Sequence, residues 1–183
     1  MAKLTKKEIK EMEEMKRAKR SLRREMMDSL QSYWKDVEAM ERVYKIQEKP
    51  SHLTNEERDN LFNRYEVLKG LTTHQIDALR TLIHNKNEKD RFNRGDQYSQ
   101  MKEYLPEDAI WISDIVWKEE DLKEQIELFS RIGIEKVYYT DKSTAALRAI
   151  VWFTRAGAKI SGITNISEYN EGLIIDLASE VNE

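Results

Sequence analysis

The chain contains no cysteine at all among its 183 residues. Disulfide frameworks and thiolate metal sites are therefore excluded, and a reducing compartment fits best. Proline occurs twice and glycine six times, with no glycine cluster, so no Gly-rich phosphate-cradling loop exists. Only three histidines are present, His52, His74 and His84, and no His-x3-His pair occurs among them. No apolar run approaches membrane-spanning length, and the charged N-terminus lacks a signal-peptide hydrophobic stretch. The expectation is a soluble, cytoplasmic protein with no cofactor and no membrane partner.

Charge, by contrast, is abundant. Charged residues make up 36% and hydrophobic ones 39%, a balance suited to long solvated helices beside a modest core. The net charge of −3 hides an asymmetry, because residues 1–24 carry ten Lys/Arg against four Asp/Glu. A basic arm on an acidic body can contact nucleic acid, an acidic partner or neighbours in an oligomer.

The arm begins at Thr5-Lys6-Lys7-Glu8, a capping box with Leu4 and Ile9 as its hydrophobic staple. Neither Pro nor Gly intervenes before Pro50, which predicts a single helix of roughly forty residues within 1–48. Leu22, Met26, Tyr33, Val37, Met40 and Tyr44 recur at three- and four-residue steps along it, a pattern near a coiled-coil seam. Such a stripe predicts packing against another chain. A second capping box, Thr54 to Glu57, opens a helix with Leu61, Tyr65 and Leu68 inward and Gly70 as its stop. A third, Thr72 to Gln75, opens one presenting Ile76, Leu79 and Ile83. Together these predict a helical hairpin over 52–84, followed by a polar loop over 85–108.

Residues 109–183 read as an α/β core. Three short runs rich in β-branched or aromatic residues (109–112, 135–140 and 158–163) alternate with two helical patterns. Leu122, Ile126, Phe129 and Ile132 mark the first helix and Leu147, Ile150, Val151 and Thr154 the second, with Gly133 and Gly157 as stops. The fold class is α/β (α+β): a helical N-terminal half, then a small βαβαβ parallel sheet of deaminase-like or Rossmann-like type. Ser167 is expected to cap a final helix presenting Tyr169, Leu173, Leu177 and Val181.

Two words of this core, Gly133-Ile134-Glu135-Lys136-Val137-Tyr138-Tyr139 and Arg155-Ala156-Gly157-Ala158-Lys159-Ile160, resemble the back half of the cytidine and deoxycytidylate deaminase fold. Upstream, Thr73-His74-Gln75-Ile76-Asp77-Ala78-Leu79 is similar to that family's His-Ala-Glu helix start. The resemblance implies the fold but not the chemistry. Those enzymes hold zinc with one His or Cys and two Cys, and use a Glu as proton shuttle. Here His74 remains, Ile76 occupies the shuttle position, and the thiolate positions fall near Leu122 and Gln125. Zinc-dependent deamination is excluded, which leaves a catalytically degenerate deaminase-like chain.

Several candidate sites follow. Lys16, Arg17, Lys19, Arg20, Arg23 and Arg24 form a basic cluster for a phosphate backbone or a protein partner. Its bland reading is a solvated helix with acidic partners such as Glu13 to Arg17. Lys86, Lys89, Arg91 and Arg94 interleave with Phe92, Tyr98 and Tyr104, a pattern that grips single strands, though acidic neighbours dilute it. Asp114 and Asp141 lie beyond the ends of predicted strands, where a metal-dependent nucleotide- or nucleic-acid-processing enzyme would place carboxylates. Asp141 reads equally as a helix cap. The leading expectation is a non-catalytic interaction and assembly protein, and the enzyme is the alternative.

Overall fold

The computed structural model describes residues 4–46, 53–92, 106, 109–112, 119–140, 144–167 and 170–177. The chain divides into two compact units, 1–72 and 73–183, so the helices expected as one hairpin over 52–84 fall on either side of the division.

The first unit is built on one long helix, α1 (Lys6–Ile46). Its start is the predicted capping box: Thr5 N–H donates to Glu8 Oε2 at 2.6 Å, and Glu8 N–H donates to Thr5 Oγ1 at 3.3 Å. Without Pro or Gly to break it, the helix runs on for about 60 Å at 1.5 Å per residue. Along it Met26 and Leu30 are buried while Leu22, Tyr33, Val37 and Met40 are half-buried. The chain returns through α2 (Asn55–Phe62), whose Thr54–Glu57 capping box is complete in both directions. This helix and a 3₁₀ turn (Glu66–Leu68) pack on α1.

Helix α2 ends sooner than the sequence pattern predicts. Arg64 N–H turns to Leu61 O and Tyr65 N–H to Phe62 O, a three-residue tightening that closes the last turn. Tyr65 leaves the helix (φ −106°, ψ 82°), and its hydroxyl donates to Asp36 Oδ2 at 2.8 Å. The Tyr33 ring meets Phe62 and Tyr65 edge-on, with centroids 5.4 and 6.2 Å away. Arg58 closes the other end on Glu41 at 3.3 Å.

The second unit starts with α3 (Thr73–Phe92). This helix passes through the first eight residues of the expected polar loop, because no Gly or Pro occurs before Gly95 and because Asn85 continues its buried side. Then come β1 (Trp111–Ile112), α4 (Glu119–Arg131), β2 (Lys136–Tyr139), α5 (Thr144–Arg155), β3 (Lys159–Ser167) and β4 (Asn170–Asp176). Helix α4 packs on α3 and α5, and α5 packs on β3. Both α4 and α5 end in the same way. Gly133 (φ 78°) and Gly157 (φ 90°) take the left-handed conformation, so that Ile134 N–H reaches Phe129 O and Ala158 N–H reaches Phe153 O.

The four-stranded sheet has the order β1-β2-β4-β3. Strands β1 and β2 are parallel, and β4 is antiparallel to both β2 and β3. It follows that β1, β2 and β3 all run one way, as the βαβαβ pattern predicts, but the sheet is mixed rather than parallel. The final helix expected after Ser167 is β4. Tyr169, Leu173 and Leu177 imitate a helical stripe at steps of four, yet Ile174-Ile175 is a β-branched pair within an apolar run that favours a strand. Its alternate members Leu173, Ile175 and Leu177 share a side, and Ile175 and Leu177 are buried. With Ser167 paired to Asn170, the chain turns back at once and inserts β4 between β2 and β3. The core beneath holds Val137, Tyr139, Ile112, Leu128, Ile132, Ala149 and Phe153, each 4% exposed or less.

Candidate interaction surface

The basic cluster lies on a stretch of α1 that nothing within its unit covers. Every residue from Leu4 to Ala18 is exposed, including four large apolar side chains: Leu4 at 56%, Ile9 at 41%, Met12 at 41% and Met15 at 60%. At 100° per residue, Met12 and Met15 lie on the side of the helix that carries Met26 and Leu30 further along. The apolar seam therefore continues past its intramolecular cover into solvent. The sequence pattern missed this because Lys and Glu separate the two methionines from the stripe.

The charged groups sort around that seam. Lys16, Arg17, Arg20 and Arg24 are exposed and form no ion pair among the described residues, whereas Lys19 and Arg23 are half-buried and engaged. The expected Glu13–Arg17 pairing is not formed. The acidic partners serve the first turns instead, as Lys7–Glu11 at 3.7 Å and Lys10–Glu14 at 3.8 Å. Exposed pairs of this kind contribute little to stability. The geometry thus leaves Lys16, Arg17, Arg20 and Arg24 as positive charge without an ion-pair partner among the described residues, beside an uncovered apolar ridge.

In the second unit, His74 at the start of α3 meets α4, with Nε2 3.1 Å from Asp121 Oδ1. One residue on, Gln75 Nε2 donates to the Glu124 carbonyl at 3.4 Å. The two α4 positions singled out above, Leu122 and Gln125, are each 2% exposed, and the Gln125 Nε2 has no hydrogen-bond partner. Helix packing therefore brings His74 to the segment of α4 that carries Leu122 and Gln125.

Asn85 is a site that the sequence reading missed. At 2% exposure it accepts from Trp111 N–H through Oδ1 (2.8 Å) and donates through Nδ2 to Trp111 O (3.0 Å) and Thr81 O (3.0 Å). Those Trp111 groups face away from β2, which bonds to Ile110 O and Ile112 O. The side chain thus imitates a neighbouring strand and closes the free edge of β1. Its only sequence signal is an Asn following Leu82 and Ile83 on an otherwise apolar side.

Of the other candidates, Lys86, Lys89, Arg91 and Phe92 belong to the end of α3 rather than to a loop. Arg94, Tyr98, Tyr104, Asp114 and Asp141 lie outside the described residues. Among the described residues no group of three or more His, Cys, Asp or Glu is placed to hold a metal ion, and no helix is long and apolar enough to cross a membrane.

Residues 93–174 match the model of a domain of unknown function, DUF7698. The match spans a little under half of the chain and takes in β1 through most of β4, leaving α1, α2 and α3 outside it. No curated protein and no solved structure matches the chain.

Proposed function

We propose that this chain is a non-catalytic interaction and assembly protein whose α1 arm docks a partner protein. The observation that carries this reading is the ridge of Leu4, Ile9, Met12 and Met15, 41–60% exposed on a helix whose cap is fully formed. Burying such side chains is worth on the order of 1 kcal/mol each. A groove lined with apolar and acidic residues would cover the ridge and answer Lys16, Arg17, Arg20 and Arg24 together, as helix-in-groove recognition does. Nucleic acid would satisfy the cations alone and leave the methionines wet, so a protein partner is favoured.

A retired deaminase-like site in the second unit is a companion reading. What supports it is the contact of His74 with Asp121 on α4, the helix on which a leucine and an amide, Leu122 and Gln125, occupy the positions that would need thiolates. The enzyme alternative rests on Asp114 and Asp141, which lie outside the described residues.

The test is capture from native lysate with the full chain as bait, read by mass spectrometry, beside Met12→Glu/Met15→Glu and Lys16→Glu/Arg17→Glu/Arg20→Glu/Arg24→Glu. Both variants should lose the same protein partner while keeping wild-type melting. A partner retained by both variants refutes the arm as the docking element. Loss of salt-sensitive RNA or DNA binding, with no protein captured, would transfer the reading to nucleic acid.

A further inference from the structure

The two edges of the sheet are treated differently. At β1 the outward N–H and C=O of Trp111 are taken by Asn85. At the opposite edge β3 pairs only with β4, and among the described residues no other backbone hydrogen bond reaches Lys159–Ser167. Unpaired edge groups are a template for another strand, and proteins usually blunt them with charge, proline or cover. Here Ile160–Ser167 is the longest stretch of the sequence without Asp, Glu, Lys or Arg, and it has no proline. In a chain that is 36% charged, that is where blunting charges would be expected. Two register shifts, at Ile160/Gly162 and Asn165/Ser167, leave Gly162-Ile163-Thr164-Asn165 as a regular run between them.

Apolar exposure concentrates at the same place. Among the described residues, Leu147 (69%), Val151 (44%) and Ile163 (66%) are the exposed large hydrophobics of this unit, and all three lie on α5 and β3, which pack on each other. Among the described residues, both the open hydrogen-bonding edge and the exposed large apolar side chains of the unit therefore belong to the α5–β3 flank.

We propose that this flank is the interface between two copies of the chain, joined by antiparallel pairing of β3 with its counterpart across a two-fold axis. The sheet then runs through eight strands. A second copy fits better than a charged peptide because the segment offers no charge for a foreign partner to read, whereas uncharged strands pair with themselves without repulsion. The antiparallel sense also deals with Lys159. Centred on Gly162–Asn165, it sets the two Lys159 residues at opposite ends of the paired strands, roughly 30 Å apart, while a parallel arrangement would stack them. A nine-residue edge backed by one helix offers on the order of 500 Å² per copy, below the usual 800 Å² or so, and so predicts micromolar association. The proposal is independent of the α1 arm.

Sedimentation equilibrium of the full chain across the micromolar range tests it, with Ile163→Lys and Leu147→Glu alongside. Because the chain lacks cysteine, Asn165→Cys carries a spin label at one site only. The wild type should dimerise, and each charge variant should weaken dimerisation at least tenfold at unchanged far-UV circular dichroism. The Asn165 labels should lie within about 20 Å of each other. A monomer at all concentrations overturns the proposal. So does a dimer with distant labels that survives Ile163→Lys and is lost in Met12→Glu/Met15→Glu, a result that would leave the arm reading intact.

Discussion

Replacing Asn85 tests how the sheet is closed at β1. Truncation to Ala removes three hydrogen bonds at once and takes the Asn85 amide from both the N–H and the C=O of Trp111. Each buried group left without a partner costs about 1–3 kcal/mol, and partial wetting of the edge lowers the total, so about 2–4 kcal/mol is expected. That is a large share of the roughly 5–15 kcal/mol that holds a domain together. It should appear as a fall in melting temperature of roughly 10 °C or more for a unit of this size, and as faster amide exchange at Trp111. Asn85→Leu refills the volume without the hydrogen bonds and should recover little. Asn85→Asp is the sharper probe. Its carboxylate can still accept from Trp111 N–H but sets a second acceptor against Trp111 O, so the variant should be the least stable of the three near neutral pH. Burial raises the folded pKa of such an Asp above about 3.9. The stability linked to its protonated form is therefore fully present below the unfolded value and lost as pH rises through the folded one. Acidification should thus partly rescue Asn85→Asp and leave Asn85→Ala unchanged. If Asn85→Ala and Asn85→Leu both unfold within about 0.5 kcal/mol of wild type, the amide is not what closes the edge.

Two further substitutions probe the helices. Desolvation, reinforced by the hydrogen bond to Asp36, pushes the Tyr65 hydroxyl above its ordinary value near 10. Its raised folded pKa contributes stability that is present below the unfolded value and lost as pH rises through the folded one. Wild type should therefore weaken in alkali above about pH 10, and Tyr65→Phe should lose about 1 kcal/mol at neutral pH and that part of the alkaline slope, as read by urea titrations across pH. Gln125→Met should be neutral or stabilising by up to about 1 kcal/mol, because the buried Nε2 has no partner to forfeit. A loss above 2 kcal/mol in thermal melts would show that the amide is satisfied after all.

Much of the architecture is legible in the residues because local chemistry decided it. Thr5–Glu8 and Thr54–Glu57 form the capping boxes their spacing requires, and Gly133 and Gly157 end their helices where a left-handed residue was needed. The failures come where a distant partner chose between local options. Leu173 and Leu177 fit a helix as well as a strand, and the choice went to β4 because β2 and β3 present a gap of one strand's width between them. Tyr65 has the spacing of a helical core residue, yet Asp36, 29 positions away, draws it out of the helix. Of the proposed surfaces, the cationic half was visible as a run of Lys and Arg. The methionines were masked by those same charges, and the β3 edge could not be foreseen without knowing which strand ends the sheet.

The insertion of β4 also fixes an order of events. β3 touches the remainder of the sheet only through β4, so until residues 170–176 have emerged from the ribosome β3 has no means of joining β1 and β2. The helical first unit can settle while synthesis continues, but the second must wait, with β3 and the side of β2 later taken by β4 still bare. A chain cut before Asn170 would therefore lose the keystone of the sheet.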